Sequence, residues 1–204
     1  MKTRLLSSFT LLALAGALSA GTQTFDFKDP KGVNNAVFKL VAPRETITGS
    51  ANGVSGTVTF DPANPLATKG KIVVAADTLT VPNPMMKKHL HSGMWLDTAN
   101  QKEITFEAKE LKSATTSGEK TTADVTGTIS IKGVTKEITV PVTLTYLKDK
   151  LSERLPGKKG DLLVIRATFT IKRSDFGINP GAPQDKVADD IELTLGIAGA
   201  SVAK

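Results

Sequence analysis

His89 and His91 are the chain's two histidines, and they stand beside Met85, Met86, Met94 and Trp95, which are every methionine but the initiator and the only tryptophan. A separation of two puts the histidines on one face of a strand but on different sides of a helix. No cysteine occurs anywhere and no third histidine exists, whereas zinc is usually held by three or four protein ligands, so no metal centre is expected. His89 reads instead as a hydrogen-bonding group at a pocket or barrel mouth, or as a packed histidine. The methionines adapt to irregular apolar partners, so with Trp95 they would line the entry for a flexible chain or pack a lid onto a core. No nucleophile elbow, zinc signature or phosphate loop appears, and no catalytic residue is assigned.

These residues need a frame, and Val125 to Thr145 states it most plainly. Val125, Ile129 and Ile131 alternate with Thr126, Thr128, Ser130 and Lys132; after Gly133, Ile138, Val140, Val142 and Leu144 alternate with Thr139, Pro141, Thr143 and Thr145. A period of two is the mark of half-buried strands, and Gly133 supplies the positive φ that a tight reversal requires. The same pattern recurs at Asn35–Val41, Thr46–Ser50, Val54–Phe60, Lys71–Ala76, Glu103–Lys109, Leu163–Lys172 and Ile191–Ile197. Phe25 to Asn34 reads as a lead-in, Ser113 to Lys120 as a polar turn, the segment around Pro156-Gly157-Lys158-Lys159-Gly160 as a basic loop, and Asp175 to Lys186 as a long loop. Pro82 and Pro84 end regular pairing, and Pro84 opens a stretch without a helix breaker, so a short helical crossover is predicted near residues 84–92.

About eight strands joined mostly by hairpins make an all-β fold, an antiparallel sheet that closes on itself or folds into a sandwich. Closure would remove exposed edges, and an eight-stranded barrel has room inside for side chains plus one slender ligand. Phe38, Phe60, Phe106, Ile129, Ile131, Val140 and Phe169 are the inward candidates. Core and ligand wall use the same residue types, so the sequence does not separate the two roles.

Composition narrows the setting. Lys2 and Arg4, an apolar run from Leu5 to Leu18, and Ser19-Ala20-Gly21 form a signal-peptide pattern, so residues 1–20 are set apart from one domain at 21–204. The run is shorter than the roughly 20 residues of a membrane-spanning helix. Removing Lys2 and Arg4 takes 26 basic residues to 24 against 20 acidic, a formal charge of +4. With 5% aromatics and scattered lysines this is no nucleic-acid surface. An outer-membrane barrel shows the same alternation, but one Trp and one Tyr cannot build its two aromatic girdles.

Several motifs, in order, carry a resemblance: His89-Leu90 and Leu96-Asp97 in the crossover, Glu103-Ile-Thr-Phe106, Gly127-Thr-Ile-Ser-Ile-Lys-Gly-Val-Thr-Lys136, Arg173-Ser-Asp-Phe176-Gly177 and Val187-Ala-Asp-Asp-Ile191. Across nearly the whole mature chain it resembles the YceI-like family of exported, lipocalin-like barrels associated with polyisoprenoid binding. The resemblance implies a barrel holding a polyisoprenoid, such as a quinone tail or polyprenyl carrier lipid, with no catalytic residue and no cofactor. It places Leu90 and Phe176 with His89 among the ligand-binding candidates, and the periplasm or extracellular space as the location. The family commonly has an acidic residue ahead of the His-Leu pair; here Lys87 and Lys88 stand there. Such a carrier is expected to meet a membrane surface transiently, and a homodimer is compatible with the pattern. The rival readings are an envelope enzyme acting on a lipid-like small molecule and a filled barrel acting only through protein partners.

Overall fold

The computed structural model describes residues 21–203, so the signal peptide expected at residues 1–20 lies outside the described part. In chain order come β1 (Gln23–Asp26), β2 (Asn35–Val41), β3 (Thr46–Ala51), β4 (Val54–Phe60) and β5 (Lys69–Ala75). Helix α1 (Pro84–His91) then crosses to β6 (Glu103–Ser117), β7 (Lys120–Ile131) and β8 (Val134–Leu147). A single helical turn, α2 (Leu151–Arg154), precedes β9 (Gly160–Lys172) and β10 (Asp190–Val202).

The strands form one antiparallel sheet in the order β1-β4-β5-β6-β7-β8-β9-β10-β2-β3, and a further pairing of β1 with β10 at Asp26 and Ala200 closes it. One edge of the long β10 takes β1 near Ala200 and β2 over Glu192–Gly196. β1 and β2 therefore share one position in the wall, β3 and β4 share the next, and ten strands build an eight-stranded lipocalin-like barrel: the alternation allows a closed sheet or a sandwich, and the fold is the barrel that the resemblance implies. β7 shows why: Thr121, Ala123, Val125, Gly127, Ile129 and Ile131 are buried while the residues that alternate with them are not. Its reversal into β8 uses Lys132 and Gly133, both at positive φ (50° and 76°), the two-residue turn whose twist matches paired strands.

Three expectations change. The lead-in contains β1, because Phe25 is fully buried and pairs with Val58. The polar run from Ser113 is strand rather than turn: Ser113 takes φ 54° where the β6–β7 register slips, and Thr115 and Thr116 then pair with Thr122 and Thr121 before the chain reverses at Gly118. β-branched threonines favour the extended backbone despite their polarity. The basic loop holds α2, fixed by the fully buried Leu151.

The break between β1 and β2 leaves backbone groups on β10 unpaired, and a side chain replaces the missing rung. Asn34, 2% exposed, donates from Nδ2 to the carbonyls of Phe27 (3.0 Å) and Ala198 (3.1 Å) and accepts from Ala198 N–H at Oδ1 (2.9 Å). Arg154 donates to Asn34 Oδ1 at 2.9 Å and pairs with Asp29 at 3.0 Å, tying α2 to the knot. Asp29 also accepts from the N–H groups of Val33 (2.6 Å), Asn34 (2.7 Å) and Lys31 (3.1 Å). A second polar lock sits where β8 meets β9. Tyr146 donates to Asp161 at 2.6 Å, as do Gln23 at 2.7 Å and the Asp149 N–H at 2.7 Å, while the Tyr146 ring packs against Phe25 and Phe60. Burial first, then the Asp161 carboxylate, pushes the Tyr146 hydroxyl up to about 12.

For both carboxylates burial acts to raise the pKa, but the hydrogen bonds outweigh it: the N–H of Asn34, Lys31 and Val33 with the charge of Arg154 hold Asp29 low, and Asp149 N–H, Tyr146 and Gln23 hold Asp161 low. A folded-state pKa below the unfolded value gives stability that is fully present above the unfolded pKa and is lost as pH falls through the folded one. The urea midpoint is therefore expected to hold at neutral pH and to fall below about pH 4. Urea titrations at a series of pH values check this; a midpoint independent of acid would show that the two locks contribute nothing.

Candidate functional site: a carbon-walled cavity beneath the crossover helix

Two apolar clusters meet inside the barrel. One is built on Phe25, Phe27, Phe60, Leu163 and Ile197, the other on Phe38, Leu40, Leu79, Val81, Leu96 and Phe176. Residues of both line a cavity of about 370 Å³, within the roughly 300–1,000 Å³ of small-molecule sites. Val58, Val125, Val140, Leu144 and Ile165 form its depth, and Met86, His89, Trp95, Glu45 and Arg173 stand on its wall at the α1 end.

Helix α1 forms where the sequence permits. Asn83 caps it, accepting from the N–H groups of Met85 (2.9 Å) and Met86 (3.1 Å), and Pro84 takes the first helical position, where a missing N–H costs nothing. Residues three and four apart share a helix face, so Met86, His89 and Leu90 all reach the cavity. Met85, Lys87 and Lys88 are exposed, and Met85 is 63% exposed. His91 points elsewhere, its Nδ1 sharing a 3.0 Å hydrogen bond with Thr98 Oγ1, and no group of three metal-ligating side chains occurs among the described residues.

The rim is stitched together from distant segments. The Met94 carbonyl accepts from Asn179 N–H (2.9 Å) and from Lys132 Nζ (3.0 Å), which also donates to the Gly177 carbonyl (2.8 Å). Thus the β7–β8 turn, the crossover and the loop after β9 hold one another. Arg44 binds Asp185 both through its backbone N–H (3.0 Å) and as an ion pair (3.2 Å), bringing the β2–β3 turn to the same rim. At the loop's base Asp189 accepts from Ser174 N–H (2.8 Å) and Oγ (2.7 Å). Burial would raise the Asp189 carboxyl, but the Ser174 bonds and the charges of Arg173 and Lys172 hold it low.

Of the residues proposed from sequence, Phe38, Phe106, Ile129, Ile131, Val140 and Phe169 lie on the cavity wall, joined by Met86, His89, Leu90 and Trp95 from the crossover. Four do not. Phe60 packs with Phe25 and Tyr146 in the polar-locked end, and Phe176, 1% exposed, lies in the core behind the wall. Met85 and Met94 face outward, 63% and 66% exposed. Alternation identifies an inward face but not depth along it, and a methionine cluster does not reveal which members fall on the helix's inner side. Sequence reasoning missed Leu79, Val81, Leu96 and Ile178, which lie in segments without strand periodicity, and Leu193 and Leu195, whose alternation was visible. It also missed Arg173, though this residue opens the Arg173–Gly177 motif.

Known proteins share this architecture. A UPF0312 protein of Pseudomonas aeruginosa is 28% identical over 193 residues, covering 92% of this chain and 94% of the relative. Burkholderia cenocepacia BcnA superposes with a TM-score of 0.66 at 20% identity, covering 81% of this chain and 95% of that one. A polyisoprenoid binding domain from Saccharophagus degradans, implicated in plant cell wall breakdown, gives 0.62 at 12% identity over 89% and 98% of the two chains. At such identities the structural likenesses speak to the fold. The YceI-like domain family matches residues 22–198, nearly the whole described chain, and this protein belongs to that family.

Proposed function

We propose that the protein binds a polyisoprenoid or similar amphiphilic lipid inside its barrel, without catalysis, and stores or carries it in the cell envelope. The observation that carries this reading is the cavity wall, which is almost wholly aliphatic and aromatic from Val58 to Met86 and has its few charged or titratable side chains, Glu45, His89 and Arg173, at one end. An isoprenoid chain needs nothing else. A buried methylene is worth about 0.8 kcal/mol, so a five-carbon unit gains roughly 3 to 4 kcal/mol before the cost of ordering it is subtracted. The family supports the reading, since one of its structural neighbours is described as a polyisoprenoid binding domain.

Nothing on the wall pairs a nucleophile with a base: His89 has no side-chain hydrogen bond among the described residues. The signal-peptide pattern of residues 1–20 supports a location in the periplasm or outside the cell. Exposed Met85 and Met94 beside Lys87 and Lys88 make an apolar and cationic tip suited to brief contact with an anionic membrane surface, from which a lipid such as a quinone or polyprenyl carrier would be drawn.

Vesicles holding a labelled polyprenol test this. Delipidated protein is expected to carry the label into the supernatant after the vesicles are sedimented, in a saturable manner. Label that stays with the vesicles at every protein concentration would remove the carrier reading.

A further inference from the structure

Arg173 is the largest fully buried side chain, 1% exposed, and no carboxylate lies within ion-pairing distance of it among the described residues. Its guanidinium is held by backbone alone. Nε donates to the Ala188 carbonyl at 3.3 Å, and Nη1 donates to the carbonyls of Ile178 (2.6 Å) and Asn179. Nη2 is buried and meets no acceptor. A buried donor left without a partner is costly, and more so when it carries charge, so such groups are rare unless something else completes them.

Two further facts place the missing partner. Arg173 belongs to the cavity wall at the α1 end, where Glu45 and His89 are the other charged or titratable groups. Trp95, half-buried, stands over the guanidinium with its ring centroid 5.9 Å from Cζ. A ring on a cation is a weak and movable cover, which an oxygen acceptor can replace with a stronger, charge-assisted hydrogen bond.

We propose that Arg173 is the head-group anchor of the cavity: its Nη2 donates to an acceptor oxygen at the end of the bound lipid, a phosphate or a carbonyl, and Trp95 shifts to admit it. This rests on the lipid-binding reading and adds its polarity. The isoprenoid tail lies deep against Val125, Val140 and Leu144, and the oxygenated end stays at the α1 end of the barrel.

The test uses matched ligands on the full-length, delipidated protein: a polyprenyl phosphate, an isoprenoid quinone and the oxygen-free polyisoprenoid hydrocarbon of equal chain length. Trp95 is the only tryptophan, so its fluorescence reports events at Arg173 directly. At least one oxygenated ligand is expected to bind about tenfold or more tighter than the hydrocarbon and to shift Trp95 emission, which the hydrocarbon does not. Which of the two does so distinguishes a phosphate from a carbonyl. In Arg173→Met the preference collapses to near parity, and Arg173→Lys, which keeps the charge without the guanidinium fork, retains only part of it. Equal affinity of wild type for all three ligands would overturn the anchor while leaving lipid binding intact. Binding of none would overturn lipid binding itself. The ligand comparison on wild type stands even if Arg173→Met fails to fold.

Discussion

Replacing Ala167 with phenylalanine is expected to cut lipid capture by more than about tenfold while leaving the barrel as stable as before, or more so. Ala167 lies on the cavity wall between Val142 on β8 and Leu195 on β10, which also line the cavity. A larger apolar side chain there takes the ligand's space and gains the burial that the ligand would have gained, on the order of 1.5 to 3 kcal/mol for a phenylalanine. Opposite signs for binding and stability separate a ligand cavity from ordinary core, because overpacking a filled core costs about 1 to 3 kcal/mol. Thermal melting and vesicle extraction measure the two quantities. A variant that melts normally and extracts lipid as well as wild type would place the ligand elsewhere.

Removing the carboxylate of Asp29 has the largest expected effect on folding. Its side chain is 1% exposed and satisfies three backbone N–H groups and Arg154 at once. Asp29→Ala leaves those donors unpaired and strands the guanidinium beside Asn34, whose amide replaces a rung of the β10 ladder. Breaking a buried pair in this way costs about 3 to 5 kcal/mol, and the 22% exposure of Arg154 favours the lower part of that range. Urea denaturation measures the loss. A change below about 1 kcal/mol would mean that water replaces these contacts and that the knot does not secure closure.

The strands are legible because most of them alternate with a period of two and most reversals carry a turn residue, as at Gly133, whereas closure into a barrel rather than a sandwich is not contained in the alternation. Local chemistry without periodicity is not legible in this way. β1 is only four residues long, and its place in the wall depends on Asn34 and on the distant edge of β10. The threonines after Ser113 read as a turn by their polarity, whereas their β-branching suits the strand pairing they make. At the site, Met86, His89, Leu90 and Trp95 could be named from one unusual stretch, and the helix assigned by Pro84 explains why His89 and His91 diverge. Arg173 opens the Arg173–Gly177 motif, yet a basic residue at the end of a strand looks solvent-facing until the loop of residues 174–189 folds over it.

Whether the barrel holds one apolar chain is decided by a native mass spectrum of the full-length protein purified from cells without organic solvent. The expected spectrum shows a bound species in one-to-one ratio that is released on collisional activation, identified as an isoprenoid with an oxygenated end, and lost in the Ala167→Phe variant. A spectrum showing only the bare chain for the wild-type protein, or the same adduct on wild type and Ala167→Phe alike, would contradict it.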